Sequence, residues 1–319
     1  MLSKTNFSYA YSSRELRRGE SAVDLLQLRY FQAVARHEHV TRAAEELRVA
    51  QPALSRSIAR LEAELGVALF DRRGRRVTLN RFGAAFGARV ATALGELDQA
   101  RSELHDAAGL AHGSVAVAAE TLRTITDLIA AFLAEHPDVS FRLFQSSAPN
   151  MSAQLQAGEA DLCFASQPIQ AGALESAELF REEVLLCVPP AHRLAGRGRV
   201  TIEDLAGEPF VTTRPGYWVR TLADRLFADS GLQAPVVACE GDEPSAIRGL
   251  ISAGVGVGLL PRLGRQAPHP PVAWLHLDAP GCERTLSLIW RRDAYLSAAA
   301  RGFRDFAVSH FRRSGPAPP

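Results

Sequence analysis

The chain has 319 residues, which is long enough for two or three domains, and 47% of them are hydrophobic, which is enough for packed cores. Its 36 basic and 35 acidic residues almost balance, which excludes a wholly basic nucleic-acid coat. No apolar run reaches the ~20 residues that a membrane span needs, and the N-terminus lacks the apolar core of a signal peptide, so we expect a cytoplasmic protein with no membrane partner.

The first 22 residues are polar and show no hydrophobic periodicity, which predicts a disordered extension over residues 1–22. Helical periodicity begins after them and predicts a first helix from Leu25 to His37. We expect this helix to pack beneath the two helices that follow. Its apolar stripe consists of Leu28, Phe31, Val34 and Ala35.

The stretch from Thr41 to Arg76 is typical of two short amphipathic helices followed by a basic hairpin. Thr41 is a good N-cap for the first of these helices, and Arg48–Ala50 forms the turn. Gln51 and Pro52 open the second helix, where the missing N–H of proline costs nothing, and Gly66 ends it. The apolar stripe of the second helix consists of Ala53, Leu54, Ile58, Leu61 and Leu65.

The outer face of the second helix carries hydroxyl and guanidinium groups, on Ser55, Arg56, Ser57 and Arg60. Such groups can hydrogen-bond base edges and phosphates in a major groove. After the helix, Ala68–Phe70 and Arg76–Leu79 are predicted as two strands around a basic turn. Residues 24–81 contain eleven basic and seven acidic residues, and this local net charge of +4 favours a DNA-contacting domain. The alternative is a small helical subdomain whose arginines form only a solvated face.

The segment LRYFQAVARHEHVTRAAEELRVAQPALSRSIARLEAELGVALFDR, residues 28–72, resembles the DNA-binding domain of LysR-type transcriptional regulators. The resemblance implies a winged helix-turn-helix over residues 23–80, with double-stranded DNA as its partner. Because regulators of this family usually begin just before such a segment, we hypothesise that Val23 is the true start of the protein.

The same resemblance assigns roles within the winged motif. Gln51, Pro52, Ser55 and Arg56 are the candidates for base-edge contacts, and Arg72 lies where the family carries an arginine that enters the minor groove. Phosphate contacts give affinity without sequence information. The predicted DNA-binding residues are Thr41, Gln51, Pro52, Ser55, Arg56, Arg60, Arg72, Arg75 and Arg76.

A long helix is predicted next, over residues 81–109, with Asn80 as its N-cap. Its apolar residues recur at nearly helical intervals on one side, which a single helix cannot bury alone. We therefore expect it to pair with a second copy in a homodimer or homotetramer; the alternative is packing on the C-terminal domain. Gly109–Gly113 is predicted as a hinge. The stripe consists of Phe82, Phe86, Val90, Leu94, Leu97 and Leu104.

From Ser114 onward, strand-like and helix-like segments alternate in two sets, which predicts parallel-rich α/β sheets. The motifs GEADLCFAS and ISAGVGVGLLP make this part similar to the two-lobed effector domain of LysR-type regulators, which itself resembles periplasmic binding proteins. The predicted fold class is thus a multidomain α+β protein: winged helix-turn-helix, linker helix and two-lobed α/β effector domain. We expect the effector domain over residues 113–312, with lobe I at 113–183 and 267–312 and lobe II at 184–266.

Within the predicted effector domain, the sequence also indicates one long helix and the two points where the chain crosses between the lobes. A helix is predicted from Thr121 to His136, and a strand from Glu183 to Val188 where the chain crosses between lobes. The return crossing is predicted near Pro261–Val272.

Polar groups follow the predicted strands of both lobes, where ligands collect in open α/β sheets. Hydroxyls and free backbone N–H groups there suit a small anion, so the expected effector is a small molecule such as a carboxylate. Glu120 would repel an anion; it could meet an ammonium or a hydroxyl, or pair with Arg214 in a closed cleft. The alternative is that these hydroxyls only cap helices. The predicted effector-binding residues are Glu120, Thr121, Ser146, Ser147, Thr212, Thr213 and Arg214, with Ser245 and Arg248 nearby.

Other classes of site have weaker support. The glycines of Gly254–Gly258 lie in an apolar strand instead of a strand-to-helix turn, which favours tight backbone packing over nucleotide binding. The nine histidines lack HxxxH or HExxH spacing, and no GxSxG motif occurs, so we predict no metal, no cofactor and no enzyme. The four cysteines lack paired spacing, which favours free thiols. A solute-binding protein with a decorative N-terminus remains the alternative from another class.

Overall fold

The computed structural model describes residues 23–73, 76–107, 113–170, 172–266 and 270–314. The chain divides into two units, residues 1–91 and 92–319. The predicted extension at 1–22, Arg75, the glycine hinge at 109–112 and the C-terminal residues 315–319 lie outside the described residues. Within the described ranges, every helix is too short or too polar to cross a bilayer.

Three helices open the first unit: α1 (Leu25–His37), α2 (Val40–Leu47) and α3 (Gln51–Leu65). The predicted bounds of α1 and α3 are confirmed, and Gly66 ends α3 in the left-handed conformation. The prediction that Thr41 caps α2 is wrong. His39 holds the N-cap position, without a side-chain cap bond, so Thr41 lies inside the first turn of α2 and is exposed.

The core of the first unit forms around Phe31, which is fully buried. Its ring centroid lies 5.4 Å from that of Phe70 and 5.3 Å from that of Phe86. The buried stripe of α3 is narrower than predicted, because Ala53 is exposed. It consists of Leu54, Ile58 and Leu61.

The wing is an antiparallel pair of strands, β1 (Phe70–Arg73) and β2 (Arg76–Leu79). The first strand begins two residues later than predicted. At this start, the carboxylate of Glu62 on α3 accepts the backbone N–H groups of Leu69 and Phe70 at 2.8 and 3.2 Å, and the Asn80 N–H donates to the Leu69 carbonyl at 3.0 Å. The start of the wing is therefore bonded both to α3 and to the residue that follows β2.

Helix α4 spans Arg81–Ala107, and the division between the two units falls within it. Asn80 caps it as predicted: its Oδ1 atom accepts the N–H groups of Phe82 and Gly83, each at 2.9 Å. The predicted stripe is only partly buried. Val90 and Leu94 are buried, whereas the exposed members are Phe82 at 44%, Leu97 at 42% and Leu104 at 69%.

Lobe I of the second unit contains three parallel strands: β3 (Ser114–Ala119), β4 (Ser140–Gln145) and β5 (Leu162–Ala165). The single helix predicted from Thr121 to His136 is wrong. A 3-10 turn, Leu122–Ile125, precedes α5 (Thr126–Glu135), because β-branched threonines at both ends of the turn favour its tighter hydrogen bonds over a continuous helix. The remaining helices and strand of the lobe are α6 (Ala148–Gln156), β12 (Glu283–Arg291) and α9 (Ala298–Ser314).

The long strand β6 (Leu174–Val188) belongs to both lobes. Residues Leu174–Glu183 pair antiparallel with β12 in lobe I, and residues Val184–Val188 pair with β10 (Gly258–Pro261) and β11 (Ala273–Leu277) in lobe II. The sequence predicted only the second part of this strand.

Lobe II contains two parallel pairs, β8 (Pro209–Thr213) with β9 (Val236–Gly241) and β7 (Arg199–Val200) with β11, and the antiparallel partners of β6. The predicted parallel-rich sheet is therefore a mixed one. Because β11 pairs with β6 and Leu275 and Leu277 pack in the lobe II core, the chain returns to lobe I before Glu283 instead of near residue 267. The lobe also contains α7 (Trp218–Asp229) and α8 (Pro244–Ser252).

A substitution at Gly83 tests the close approach of α4 to Leu69, the residue before the first wing strand. A Cβ atom at Gly83 would lie 2.0 Å from the carbonyl oxygen of Leu69, whereas one at Gly87 would lie 3.5 Å from the Phe31 ring. We expect Gly83→Ala to lower the free energy of unfolding by about 1–3 kcal/mol, since the backbone must shift. Gly87→Ala is the matched control and should be neutral or stabilising by up to about 1 kcal/mol. Urea unfolding followed by far-UV circular dichroism measures both; equal stability of the two variants would contradict the close approach.

Candidate functional site

The N-terminal half of α3 presents polar groups to solvent. Gln51, Pro52 and Arg56 are exposed, and Ser55 is half-buried. The Gln51 Nε2 atom donates to Ser55 Oγ at 2.9 Å, so the two side chains are held side by side. Arg56 forms no ion pair within the described part of the chain. This surface can offer donors and acceptors to a ligand that is itself rich in polar groups.

The other predicted arginines of this unit are exposed and form surface ion pairs. Arg60 pairs with Glu64 at 2.9 Å, Arg72 with Glu62 at 3.7 Å and Arg76 with Glu38 at 3.6 Å. The carboxylates of Glu64 and Glu62 are largely buried, whereas the Arg76–Glu38 pair is exposed on both sides. An exposed pair contributes only about 0–1 kcal/mol, so phosphate can replace Glu38. With Thr41 on α2, these residues give exposed polar groups on α2, α3 and the wing; Arg75 is not among the described residues.

A cavity of about 680 Å³ lies between the two lobes of the second unit. Three predicted residues line it: Glu120, Thr121 and Thr213. Arg248, which the sequence predicts near these residues, also lines the cavity. From lobe I, further lining residues are Arg123, Thr124, Thr126, Asp127, Gln145 and Arg284. From lobe II they include Tyr217, Trp218, Asp242, Glu243, Ile247, Leu259, Leu260, Leu263 and Gly264.

Four predicted effector residues do not line the cavity: Ser146, Ser147, Thr212 and Arg214. Ser146 is buried, and its hydroxyl donates to Gln154 Oε1 at 2.8 Å. Thr212 precedes the cavity-lining Thr213 in β8, and successive side chains of a strand point to opposite faces. The sequence pattern identified the right strand ends but not the faces that line the cavity.

Glu120 is 3% exposed and lies where the lobes meet. Its carboxylate accepts the backbone N–H of Ser166 and the Gln167 side-chain amide, each at 2.8 Å, and the backbone N–H of Trp218 in lobe II at 3.2 Å. Burial raises the pKa of Glu120 against the lowering effect of these donors. The predicted alternative that Glu120 pairs with Arg214 is wrong, because Arg214 pairs with Asp242.

Further hydrogen bonds link the lobes on either side of Glu120. Gln167 donates to the carbonyl of Gly216 at 2.8 Å, and the Thr221 hydroxyl donates to Gln167 Oε1 at 3.1 Å. Gln145 donates to the carbonyl of Asp242 at 2.6 Å. The cavity is therefore walled by residues that bond across the lobe boundary.

Arg284 is a cavity residue that the sequence did not single out. It is buried in β12, and its Nε atom lies 3.2 Å from Glu182 Oε1. Its guanidinium lies 5.2 Å from the Trp218 ring centroid, and its Nη2 atom lies 3.5 Å from Thr124 Oγ1. The sequence feature that could have identified Arg284 is its charge within the otherwise apolar strand pattern ERTLSLIW.

The segment Gly254–Gly258 packs tightly, as predicted, but its placement within a strand is wrong: only Gly258 belongs to β10, and Gly254 lies in the turn after α8. Cβ atoms at Gly256 and Gly258 would lie 2.3 Å from the Pro209 carbonyl oxygen and 2.5 Å from that of Val211. The glycines of this segment therefore bring β10 close to β8, and β10 supplies Leu259 and Leu260 to the cavity wall.

The four cysteines are free. Burial raises the pKa of the Cys163 and Cys187 thiols, and it raises the pKa of Cys282 to about 12. These three thiols are thus protonated at neutral pH and poor nucleophiles. In the described ranges, no group of three His, Cys, Asp or Glu side chains is arranged to hold a metal ion.

Comparisons with known proteins agree with both halves of this description. Residues 25–84 match the model of the bacterial regulatory helix-turn-helix protein, lysR family, and residues 108–312 match that of the LysR substrate binding domain. The chain is 36% identical over 288 residues to the uncharacterised HTH-type transcriptional regulator YybE of Bacillus subtilis, covering 89% of this chain and 98% of that protein. It is 34% identical to the transcriptional dual regulator GltC of the same organism, covering 91% and 98%.

Solved structures show the same fold. The LysR family transcriptional regulator CbnR has a TM-score of 0.64 at 23% identity, covering 92% of this chain and 99% of that chain. The effector binding domain of QuiR in complex with shikimate has a TM-score of 0.57 at 25% identity, covering 64% of this chain and 99% of that chain. These relatives argue against an enzyme and against a solute-binding protein with a decorative N-terminus.

The raised pKa of Glu120 predicts a pH effect on stability. A carboxyl whose folded-state pKa is raised contributes stability that is present below its unfolded value, near 4.5, and is lost as the pH rises through the folded-state pKa. The free energy of unfolding of the wild type, minus that of Glu120→Gln, should therefore fall as the pH rises above 4.5. Tryptophan fluorescence during urea unfolding measures this, since all three tryptophans lie in the second unit.

Asp127→Asn, which removes an exposed carboxyl from the same cavity, is the control for that experiment. A wild-type minus Glu120→Gln difference that rises with pH would show that the hydrogen bonds to Glu120 outweigh its burial.

Proposed function

The chain belongs to the LysR family and is a DNA-binding transcriptional regulator with a small-molecule effector domain, and we propose how its residues divide this work. In this proposal, residues 23–80 form the DNA-binding domain, residues 81–109 the linker helix and residues 113–312 the effector domain. Helix α3 reads the DNA, and the interlobe cavity takes the effector.

The proposal for DNA recognition is based on the exposed N-terminal half of α3. A helix entering the major groove contacts base edges with its first turns, where Gln51, Ser55 and Arg56 lie. Pro52 stands beside them and can pack on a thymine methyl group. Arg56 is the strongest candidate for guanine, because its guanidinium is exposed and its fork can bond to O6 and N7 of that base.

The remaining residues position the protein on the duplex. We assign Arg72 on the wing to the minor groove and Thr41, Arg60, Arg75 and Arg76 to the phosphates. The exposed side chains of Arg60, Arg72 and Arg76 support this assignment, and the exposed Arg76–Glu38 pair can exchange its partner at little cost.

The effector in this proposal is a small molecule, such as a carboxylate, that fills the interlobe cavity. Thr121 and Thr213 line the cavity from opposite lobes, which supports a role of both residues in binding. An effector that contacts both lobes would favour one arrangement of the protein over others and so change its occupancy of DNA.

We further propose that α4 pairs with a second copy of the chain. Leu97 and Leu104 are separated by seven residues, which is two helical turns, and both are exposed. A homodimer formed through this face would carry two copies of α3 for two half-sites of DNA. A homotetramer would join two such dimers.

Substitutions on α3 and the wing should affect DNA binding differently. Ser55→Ala with Arg56→Ala should reduce the ratio of affinities for specific and unrelated duplexes by about ten-fold or more, since each base-edge contact is worth about 1–3 kcal/mol. Arg76→Ala should weaken binding to both duplexes alike and reduce the salt slope by about 1. Fluorescence anisotropy over a salt series, with DNA from beside the protein's own gene, measures both effects. An unchanged affinity ratio in the double variant would refute the assignment of α3.

Charges on the exposed face of α4 should break the proposed dimer. We expect Leu97→Glu with Leu104→Glu to shift the mass measured by light scattering toward the 34.5 kDa monomer, because carboxylates would have to be buried at the interface. Ala85→Glu places the same charge on another exposed face of α4, about 100–120° away, and should leave the mass unchanged. A wild-type monomer, or a double variant that keeps the wild-type mass, would contradict the pairing.

A further inference from the structure

Arg248 is a buried cation at the wall of the interlobe cavity. It lies on α8, is 7% exposed and lines the cavity beside Ile247 and Gly264. Its Nη1 atom donates to the carbonyl of Gly264 at 2.7 Å, which holds the side chain in place. Its Nε atom is buried and has no hydrogen-bond partner within the described structure. A buried donor of this kind loses its hydration without compensation.

The charge of Arg248 is also unbalanced. Within the described ranges, no carboxylate forms an ion pair with Arg248. The other buried arginine of the cavity, Arg284, has Glu182 at 3.2 Å and lies in the field of Glu120. The two guanidiniums are therefore in different states: the protein's own carboxylates neutralise Arg284, whereas Arg248 has no counterion of its own.

The surroundings of Arg248 strengthen any interaction with an anion. The Trp274 ring centroid lies 5.2 Å from its guanidinium carbon, and Leu259, Leu260 and Leu263 form an apolar wall of the same cavity. In such a low-dielectric setting, the attraction between a guanidinium and an anion is less screened than in water.

We propose that Arg248 is the anchor for a carboxylate group of the effector. Because Nη1 is bonded to Gly264 and Nε is buried away from solvent, Nη2 is the nitrogen left to donate to a carboxylate oxygen. This inference rests on the proposed effector role of the cavity. It adds the chemical class of the ligand, an organic acid, and the residue that selects it against the neutral amide.

The anchor is linked to the strand that joins the lobes. Gly264 belongs to the 3-10 turn Arg262–Gln266, in which the Leu263 N–H donates to Glu182 Oε2 at 2.8 Å. Glu182 lies on β6 and pairs with Arg284 of lobe I. A carboxylate on Arg248 is thus connected through this turn to the buried ion pair of lobe I, which gives ligand binding in lobe II a path to the other lobe.

Small acids and their amides test the anchor directly. The thermal midpoint of the full chain is measured with formate or acetate, with formamide or acetamide, and with sodium chloride at the same ionic strength. Formate and acetate are small enough for any cavity of this volume. The wild type should be stabilised by the acids beyond the effect of chloride and should not be stabilised by the amides.

Substitutions then assign the effect to Arg248. Arg248→Gln should weaken the apparent affinity for acetate by about ten-fold or more, because it removes the positive charge and its donor. Arg248→Lys keeps the charge but not the guanidinium geometry and should give an intermediate affinity. Arg265→Gln is the matched control: it removes an exposed charge from the same turn, outside the cavity, and should respond as the wild type does.

Two results would overturn the proposal: equal responses of the wild type to acetate and chloride, or an unaltered acetate response in Arg248→Gln and Arg248→Lys. Far-UV circular dichroism confirms that the variants are folded. Failure of the proposed DNA-binding role would appear separately, as a wild type that binds no duplex DNA, and it would leave the acetate response unchanged.

Discussion

The continuity of strand β6 is the constraint on which the effector unit depends. One strand of fifteen residues hydrogen-bonds to β12 in lobe I and to β10 and β11 in lobe II, so both sheets share a single extended backbone. The lobes cannot slide along this edge without breaking ladder hydrogen bonds, because a one-residue slip would turn every side chain to the other face. Relative motion of the lobes must therefore keep β6 hydrogen-bonded to the strands of both lobes.

The cavity beside β6 contains charged groups that a purely structural core would avoid. Glu120 and Arg284 are buried, and each is surrounded by hydrogen-bond or ion-pair partners from the protein. Burying such charges seldom adds stability compared with apolar residues of similar volume. Their positions at the lobe boundary suggest a different use: Glu120 accepts a hydrogen bond from each lobe and so fixes the register between them. Arg248 differs because no carboxylate of the described ranges forms an ion pair with it, and this is why an anionic ligand is expected there.

The sequence predicted those parts of the molecule whose determinants are local. The bounds of α1 and α3 follow from caps and periodicity within a few residues, and Gly66 marks the end of α3 by itself. The first half of β6 could not be predicted, because its hydrogen bonds come from β12, about a hundred residues away, and its charged residues look like those of a loop. The pairing of Arg214 with Asp242 instead of Glu120, and the choice of Thr213 over Thr212 for the cavity, likewise depend on the assembled sheet. Alternation along β8 shows that the two threonines face opposite ways, but only the neighbouring elements decide which face lines a cavity.

The central claim, that α3 and the wing form the DNA-reading surface, is tested most directly by hydrogen–deuterium exchange of the full chain with and without duplex DNA from beside its own gene. A duplex seated on the exposed N-terminal half of α3 and on the wing would exclude solvent from their amides and slow the exchange of these amides. We predict that protection is concentrated in the N-terminal half of α3, residues 51–58, and in the wing strands. Protection confined to the two lobes of residues 113–312, with α3 and the wing unchanged, would contradict it.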